Sequence, residues 1–407
     1  MRRVPTIKST AVLVALLMAQ AVLRCEEPKD VFYTSFARVS LMAVPGKIMD
    51  KDVICILDTG SSTCVMDTKF AASVSKSLGA EQVRTASGLL TVPRFEKIAQ
   101  RLMAFPQRTG PAVALDLSRI SVATGMQIDA ILGIDYLRYL FLNVSNGTPG
   151  FSDKAEISSG SGVKSYPLSV INGCPYTDVN LPVLGERPFL IDTGSVTYCG
   201  ITRNYASQLV RANDAMLLEE IPTLDASGVR KTSLYVIREI KVFGVTMYNV
   251  PAEESDVNGI GLGLMRHFNF SVDFQNSVAH VLPPTPTRSF FYLDASGLRL
   301  VFKPELGHVL RRIVPDSPAE KNHFQVGDQI LEIDGRNSSE MSAWEIRELL
   351  SQAGKTISIK SQRGDEVRDI QLPLSRKFEY PPKWKPRSTQ ADHFQKFIES
   401  ESIPAPE

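Results

Sequence analysis

Two Asp-Thr-Gly-Ser segments are the part of this 407-residue sequence that could most directly perform chemistry. They begin at Asp58 and Asp192, and each follows an apolar run, at residues 55–57 and 189–191. At average residue frequencies, a chain of this length contains roughly 0.1 copies of Asp-Thr-Gly by chance. An apolar strand delivers the carboxylate into a buried place, and the glycine lets the chain turn at once. Two such segments predict that two carboxylates face one another.

The sequence around the two aspartates recurs in the same order, which indicates an internal duplication. An apolar segment ending in Gly133 follows the first aspartate, and a related segment ending in Gly261 follows the second at a similar distance. Between these landmarks each half carries Ala-Ser-Gly, at residues 86–88 and 226–228. The second glycine segment departs from the first because Gly259 stands at the position that Ile131 occupies in the first.

Residues 31–283 resemble a single-chain pepsin-like aspartic protease in the compact form of retroviral-type aspartyl proteases. The resemblance is carried by the two Asp-Thr-Gly-Ser segments and by the later Ile131-Leu132-Gly133. It implies a mainly β fold of two duplicated β-barrel lobes, with Asp58 and Asp192 as the catalytic pair. It further implies that this pair is supported by Thr59, Gly60, Ser61, Thr193, Gly194 and Ser195.

The chemistry expected of this pair needs neither a metal nor another cofactor. Two carboxylates about 3 Å apart cannot both ionise, so one keeps a proton and the pair titrates as a unit. The ionised member takes a proton from a shared water that attacks the peptide carbonyl, and the protonated member donates to the carbonyl oxygen. The resemblance implies that Thr59 and Thr193 hold the opposite loop, while Ser61 and Ser195 donate to the outer carboxylate oxygens. Such donors lower a carboxyl pKa, so the sequence predicts activity that favours acidic over neutral pH.

Two segments could form the hairpin that this family folds over its cleft. Ser87 and Gly88 mark one candidate, and Ser227 and Gly228 mark the other. Pepsin-like flaps usually carry a Tyr, whereas residues 83–95 contain none. The sequence therefore leaves open which hairpin closes.

Residues 286–376 strongly resemble a bacterial-type PDZ domain. The resemblance rests on the segments 313–320 and 326–335. Ser317 is expected to cap a short helix, with Pro318 at its first position. PDZ domains bind an extended C-terminal peptide beside an edge strand, and a loop of backbone amides holds the peptide carboxylate. The resemblance places this loop and strand at Gly297, Leu298, Arg299 and Leu300.

The N-terminus resembles a secretory signal, with a positive pair at residues 2–3, an apolar core and a small-residue cleavage site. A retained membrane anchor is the alternative, although the apolar run is short for a span. We expect an exported protein, either periplasmic or secreted, with no membrane span in the mature chain. The expected organisation is a signal at 1–21, an N-lobe at 22–157, a C-lobe at 158–285, a PDZ domain at 286–376 and a Pro-containing, largely disordered tail at 377–407.

Composition argues against several other classes of protein. The net charge is +1 and no basic block occurs, so nucleic acid is an unfavourable partner. The five histidines form no metal-ligating pattern, and the His-Glu-x-x-His and Gly-x-Ser-x-Gly motifs are absent. The five cysteines are an odd number. We expect mainly small buried thiols, with one disulfide through Cys174 or Cys25 as the alternative.

The local pattern predicts short apolar strands and few helices. A strand is expected at residues 119–123 and a helix at residues 205–219. Ser-Ser-Gly-Ser-Gly at residues 158–162 is expected to link the two lobes.

The sequence as a whole favours an exported aspartic endopeptidase whose PDZ domain recruits or gates a peptide or protein substrate. A catalytically silent binding or scaffold protein is the main alternative, because a fold does not establish a function. A protease that works only as a dimer is a third hypothesis, although one chain already carries both aspartates. The PDZ groove could take substrate tails, the chain's own tail or nothing. The natural substrate and the oligomeric state do not follow from the sequence.

Overall fold

The computed structural model of the chain describes residues 41–376, except residues 86–87, 104, 159, 161, 226–227, 283–290, 292 and 304, and in addition Phe378 and Trp384. The expected signal at 1–21 and most of the expected tail lie outside the described residues, as do Ser87 and Ser227. The described protein is mainly β. None of the helices in the described part is long and apolar enough to cross a membrane.

The first half of the protease region is built mainly of strands. Its elements in chain order are β1 (Ala43–Ile48), β2 (Lys51–Leu57), β3 (Cys64–Asp67), α1 (Thr68–Val74), β4 (Ala80–Thr85), β5 (Gly88–Arg101), β6 (Arg108–Leu115), α2 (Ser118–Thr124), β7 (Ala130–Leu132), α3 (Ile134–Leu137), β8 (Phe141–Ser145) and β9 (Thr148–Ser152). Strands β1 to β7 form one sheet in the order β1–β2–β7–β3–β6–β5–β4.

Strand β2 is apolar on both faces because both faces of the sheet are covered. Cys55 and Leu57 belong to the main core, whereas Ile56 packs into a second cluster with Val65 and Ile131. Successive side chains of a strand point to opposite faces. A strand covered on both sides therefore needs a continuous apolar run, which is the run that precedes Asp58.

The second half repeats this arrangement. Its elements are β10 (Lys164–Pro167), β11 (Ser169–Ile171), β12 (Cys174–Leu181), β13 (Gly185–Asp192), β14 (Cys199–Ile201), α4 (Arg203–Arg211), β15 (Ala215–Asp225), β16 (Gly228–Val242), β17 (Val245–Glu254), β18 (Gly259–Gly261), α5 (Leu262–Met265), β19 (Asn269–Asp273) and β20 (Val278–Leu282). The main sheet has the order β11–β12–β13–β18–β14–β17–β16–β15. Strands β13 and β18 are parallel neighbours, as β2 and β7 are in the first half.

A third sheet joins the two halves, in the order β10–β20–β19–β8–β9. Strand β8 from the first half pairs antiparallel with β19 from the second. Asn143 of β8 is fully buried and donates to the Ser152 hydroxyl at 2.7 Å. Its amide oxygen accepts from the Ser271 hydroxyl at 2.5 Å and from the Glu156 backbone amide at 3.0 Å. Hydrogen bonds from both halves therefore converge on one buried side chain.

The C-terminal domain has a sheet and a core of its own. Its elements are β21 (Leu298–Lys303), β22 (Gly307–Ile313), α6 (Pro318–Lys321), β23 (Gln329–Ile333), β24 (Arg336–Asn337), a 3₁₀ turn (Ser338–Glu340), α7 (Ala343–Leu350), β25 (Thr356–Arg363) and β26 (Glu366–Pro373). The sheet order is β21–β22–β23–β25–β26, with β24 beside β23. Ser317 caps α6 by accepting the Glu320 amide at 3.3 Å, with Pro318 first in the helix, as the sequence predicts.

Two local predictions are wrong. Residues 119–123, expected as one of the short apolar strands, lie in α2, which ends where Gly125 adopts φ +67°. The helix expected at 205–219 ends at Arg211, and residues from Ala215 onward form β15. Asn213 adopts φ +59°, a left-handed conformation that a helix cannot continue through.

Two residues of the expected disordered tail are packed. Trp384 is only 3% exposed and clusters with Val236 and Leu293. Its indole N–H donates to the Asn213 carbonyl at 3.1 Å, and Phe378 packs against the same cluster. The chain beyond the PDZ domain therefore returns to the C-lobe at these two residues.

Replacing Asn143 by Ala should lower the free energy of unfolding by about 2–4 kcal/mol, because buried donors from both halves lose their acceptor. Urea denaturation followed by circular dichroism measures the loss. The control Asn180→Ala, at an exposed position of β12, should change the stability by less than about 0.5 kcal/mol. Equal losses in the two variants would contradict a special role for the buried network.

Candidate active site

Asp58 and Asp192 occupy equivalent places in the two halves. Asp58 directly follows β2, and Asp192 is the last residue of β13. The Asp58 amide donates to the Leu132 carbonyl of the neighbouring strand β7 at 3.0 Å. Both aspartates are half-buried as whole residues, and burial is the main influence on their carboxyl groups. The repeated strand pairs thus present two carboxyl groups at one junction between the lobes.

The two carboxyl groups face one another across the lobe boundary, each against the glycine of the opposite loop, and each influences the pKa of the other. A Cβ atom on Gly194 would lie 2.4 Å from the carboxyl carbon of Asp58, and one on Gly60 would lie 2.9 Å from that of Asp192. Only glycine can therefore stand at these positions without moving the opposite carboxyl group. The Gly60 amide donates to Asp58 Oδ1 at 2.7 Å, and the Gly194 amide donates to Asp192 Oδ1 at 2.9 Å.

Two fully buried threonines lock the loops together by reciprocal hydrogen bonds. The Thr59 hydroxyl donates to the Ile191 carbonyl at 2.5 Å and accepts the Thr193 amide at 3.1 Å. The Thr193 hydroxyl donates to the Leu57 carbonyl at 2.8 Å and accepts the Thr59 amide at 3.0 Å. Each threonine thus reaches the backbone of the opposite loop, as the resemblance implies.

Two further glycines let a strand cross close behind each loop. A Cβ atom on Gly133 would lie 2.6 Å from the Thr63 carbonyl oxygen, and one on Gly261 would lie 2.5 Å from that of Thr197. The residue after each glycine donates its amide to the loop, to the Ser61 carbonyl in one lobe and to that of Ser195 in the other, at 2.8 Å in both. This contact explains why both halves keep the glycine.

The serine hydroxyls do not make the contacts expected from the resemblance. The Ser61 hydroxyl donates to the Thr63 carbonyl at 2.8 Å, and that of Ser195 is hydrogen-bonded to the Thr197 hydroxyl at 2.9 Å. Each serine therefore closes a local turn with the residue two positions later. The amides of Gly60 and Gly194 are the donors that reach the carboxylates.

Electrostatics favour one shared proton on the pair. Burial raises the pKa of Asp58 above the ordinary value of 3.8. Burial also raises the pKa of Asp192 well above that value, and the negative charge of Asp58 raises it further. We therefore expect the pair to hold one proton between its two members at mildly acidic pH.

Sequence reasoning missed two side chains beside the pair. The thiol of Cys174, at the start of β12, donates to the Gly60 carbonyl at 3.5 Å. Burial and the charges of Asp58 and Asp192 raise the pKa of Cys174 to about 12, so the thiol stays protonated. Tyr176 lies two residues further along this strand, and its pKa is raised by burial and by the charges of its neighbours. No motif marks either residue, because their proximity comes from strand pairing.

The described cysteines are free thiols. Cys55, Cys64, Cys174 and Cys199 are all buried, in agreement with small core residues, while Cys25 lies outside the described residues. Within the described ranges, no group of three His, Cys, Asp or Glu side chains could hold a metal ion.

Both candidate lids are hairpins in the structure. Gly88 pairs with Thr85 where β4 turns into β5, and Gly228 pairs with Asp225 where β15 turns into β16. Their neighbours Ser87 and Ser227 lie outside the described residues. Of the predicted PDZ residues, Gly297 directly precedes strand β21, and Leu298, Arg299 and Leu300 begin it, at the edge of the PDZ sheet.

Replacing Thr193 by Val keeps the volume but removes one hydroxyl of the lock. The Thr59 amide and the Leu57 carbonyl then lose a partner in a buried place, so stability should fall by about 2–3 kcal/mol. Urea denaturation measures the change. Thr109→Val, at an exposed position of β6, is the control and should leave the urea midpoint nearly unchanged. An unchanged midpoint in the Thr193 variant would show that the lock is dispensable for stability.

Comparison with protein families supports two kinds of domain. The aspartyl protease family matches residues 44–136, and the PDZ domain family matches residues 309–363. The first match includes Asp58 but not Asp192, whose equivalence rests on the repeated geometry described above. A search of curated proteins finds no match.

One solved structure similar to part of the chain is "photosystem II D1 C-terminal processing protease". The identity is 25% and the TM-score is 0.20, over 22% of this chain and 24% of that chain. The similarity is thus limited to a small share of both chains, and nothing about function follows from it. The family matches confirm the resemblance seen in the sequence: this chain contains an aspartyl protease domain, followed by a PDZ domain near its C-terminus.

Proposed function

We propose that the protein is an aspartic endopeptidase in which Asp58 and Asp192 activate a water molecule. The observation that carries the proposal is the pair of facing carboxyl groups, each against the glycine of the opposite loop and fixed by the reciprocal contacts of Thr59 and Thr193. An inactive scaffold has no chemical need for two buried carboxyl groups, since their desolvation is costly. The aspartyl protease match supports the same reaction class.

The proposed reaction uses the shared proton and no covalent intermediate. Ionised Asp58 accepts a proton from a water held between the carboxyl groups, and the water oxygen bonds to the peptide carbonyl carbon. Asp192 donates its proton to the carbonyl oxygen, giving a neutral tetrahedral diol. The proton on Asp58 then passes to the leaving nitrogen, a diol proton returns to the carboxyl pair, and the C–N bond breaks.

The substrate would be an extended peptide lying in the cleft between the lobes. The two hairpins, β4–β5 and β15–β16, are the elements available to cover it. Export through a signal peptide at 1–21 and a PDZ domain that recruits or gates substrate are parts of the same proposal.

Cleavage of a peptide library by the full chain tests the reaction. Asp58→Asn and Asp192→Asn should each lower the cleavage rate by about 10²–10⁴-fold or more, because each removes a proton-transfer group. Asp178→Asn, at an exposed position of β12, should cleave like the unmodified chain. Absence of cleavage by the unmodified chain at every pH from about 3 to 8 would favour the silent scaffold instead.

The pH profile should be bell-shaped and displaced upward. The active pair holds one proton, so activity is lost at low pH when Asp58 is protonated and at high pH when Asp192 loses its proton. Because burial raises both pKa values, the acid limb should lie above 3.8. The acidic preference predicted from the serine hydroxyls loses its physical basis, since neither hydroxyl hydrogen-bonds a carboxylate. A kcat/KM that continues to increase as the pH falls below 3.8 would contradict the upward direction of the two pKa values.

A further inference from the structure

The amide of Gly297, in the loop predicted to bind a peptide carboxylate, and that of the preceding Ser296 already hold a carboxylate of this chain. The amides of Ser296 and Gly297 donate to the Asp294 carboxylate at 3.2 and 2.8 Å. The Leu298 amide donates to the Ser296 hydroxyl at 3.0 Å, and this hydroxyl donates to Asp294 at 2.6 Å. The amides of Ser296 and Gly297 are thus satisfied by a side chain of the same chain.

The loop that carries these amides is closely packed. Ser296 is fully buried, and a Cβ atom on Gly297 would lie 2.1 Å from the Ser317 side chain. The carbonyl of Gly297 accepts the Val314 amide at 2.9 Å, and that of Ser296 accepts the Ala319 amide at 2.9 Å. The loop therefore has little freedom to turn its amides toward a new ligand while Asp294 stays in place.

Strand β21, beside which a PDZ ligand is expected to lie, contacts both protease lobes. Helix α2 of the N-lobe lies along strand β21, with Cα atoms of the two elements within 8 Å. Arg299 of β21 donates to Asp294 at 2.7 Å and to Glu219 of the C-lobe hairpin at 3.2 Å. One guanidinium thus links the carboxylate in the PDZ loop to strand β15.

Helix α7 of the PDZ domain also contacts the protease region. The Arg266 guanidinium of the C-lobe lies 4.4 Å from the ring centre of Trp344 in α7. The Tyr198 ring lies edge-on to the same indole, with ring centres 6.4 Å apart. Tyr198 follows Asp192 by a few residues on the loop of the catalytic pair, so helix α7 braces that loop.

The segments on either side of the PDZ sheet pack on the same hairpin. Leu293, before strand β21, and Trp384, after strand β26, cluster with Val236 of β16. Met216 and Leu218 of β15 pack against this cluster. The hairpin β15–β16 is therefore attached to the chain on both sides of the PDZ sheet.

We propose that the PDZ groove is an internal docking surface, filled by Asp294 and by the protease lobes, rather than a receptor for free C-terminal peptides. Its partner is the C-lobe of this chain, and docking fixes the β15–β16 hairpin and the Asp192 loop. The inference rests on the proposed function, in which the PDZ domain either recruits or gates the substrate. Of these two roles, it favours gating.

Tryptophan emission reports the docking directly, because the chain contains two Trp residues and both, Trp344 and Trp384, are buried at this interface. The double variant Glu219→Gln/Arg266→Ala changes only the protease side of the interface. Its emission should move to longer wavelength. The control is the double variant Glu220→Gln/Arg138→Ala. Glu220 is the neighbour of Glu219, and Arg138 occupies in the first half the place that Arg266 has in the second. Glu220 pairs within its own hairpin and Arg138 packs on Tyr139, so the control should emit like the unmodified chain.

Peptide binding tests the loop, in an Asp58→Asn background that prevents hydrolysis. Fluorescent peptides with apolar C-terminal residues are titrated as free acids and as C-terminal amides. The background protein should bind both forms equally. Adding Asp294→Ala to the docking variant should give at least about tenfold preference for the free acid, because the freed amides then hold its carboxylate.

Two results would overturn the proposal. One is a tenfold preference for the free acid in the background protein without a shift in Trp emission. The other concerns the variant that combines Glu219→Gln, Arg266→Ala and Asp294→Ala in the Asp58→Asn background. The proposal fails if this variant is folded, judged by circular dichroism, and shows neither the emission shift nor the preference. If Asp294→Ala prevents folding, the emission of the docking variant alone decides. Neither readout needs hydrolysis, so failure here is distinct from failure of the proposed enzyme activity.

Discussion

Two carboxyl groups held against each other between the lobes set the requirements for the rest of the protease region. The free-energy cost of desolvating the two groups, together with the repulsion when both are ionised, would separate them in a flexible structure. The surrounding backbone therefore has to be rigid. The reciprocal hydrogen bonds of Thr59 and Thr193 supply that rigidity, because each hydroxyl both donates and accepts across the lobe boundary. The lock and the carboxyl pair therefore form one unit, in which neither half is complete alone.

The glycines follow from the same geometry. Gly60 and Gly194 stand where any side chain would enter the space of the opposite carboxyl group, while Gly133 and Gly261 let a strand pass against the back of each loop. Each half thus keeps two glycines, one for each steric reason, and the repeat in the sequence follows from the same packing requirement in both halves.

The sequence predicted what depends on local pattern and failed where distant packing decides. The apolar runs before Asp58 and Asp192 located the site because a strand covered on both faces must be continuously apolar. The serine hydroxyls were placed wrongly because a hydrogen bond within the turn competes with the carboxylate. Cys174 carries no motif, and only the pairing of β12 with β13 brings it beside the pair. Residues 119–123 include two β-branched side chains, Ile120 and Val122, yet they lie in α2, which ends at Gly125, because β-propensity is a weak and context-dependent preference.

The sheet that joins the lobes has a consequence during protein synthesis. Strand β8 leaves the ribosome with the first lobe, but its second edge pairs with β19, close to the end of the second lobe. Until that strand emerges, the nascent chain carries an open strand edge, which is a template for pairing with other chains. During the same interval, the side chain of Asn143 lacks the hydrogen bond from the Ser271 hydroxyl. Translation therefore leaves the first lobe unfinished until the second is nearly complete, and this interval is when the chain most needs protection from aggregation.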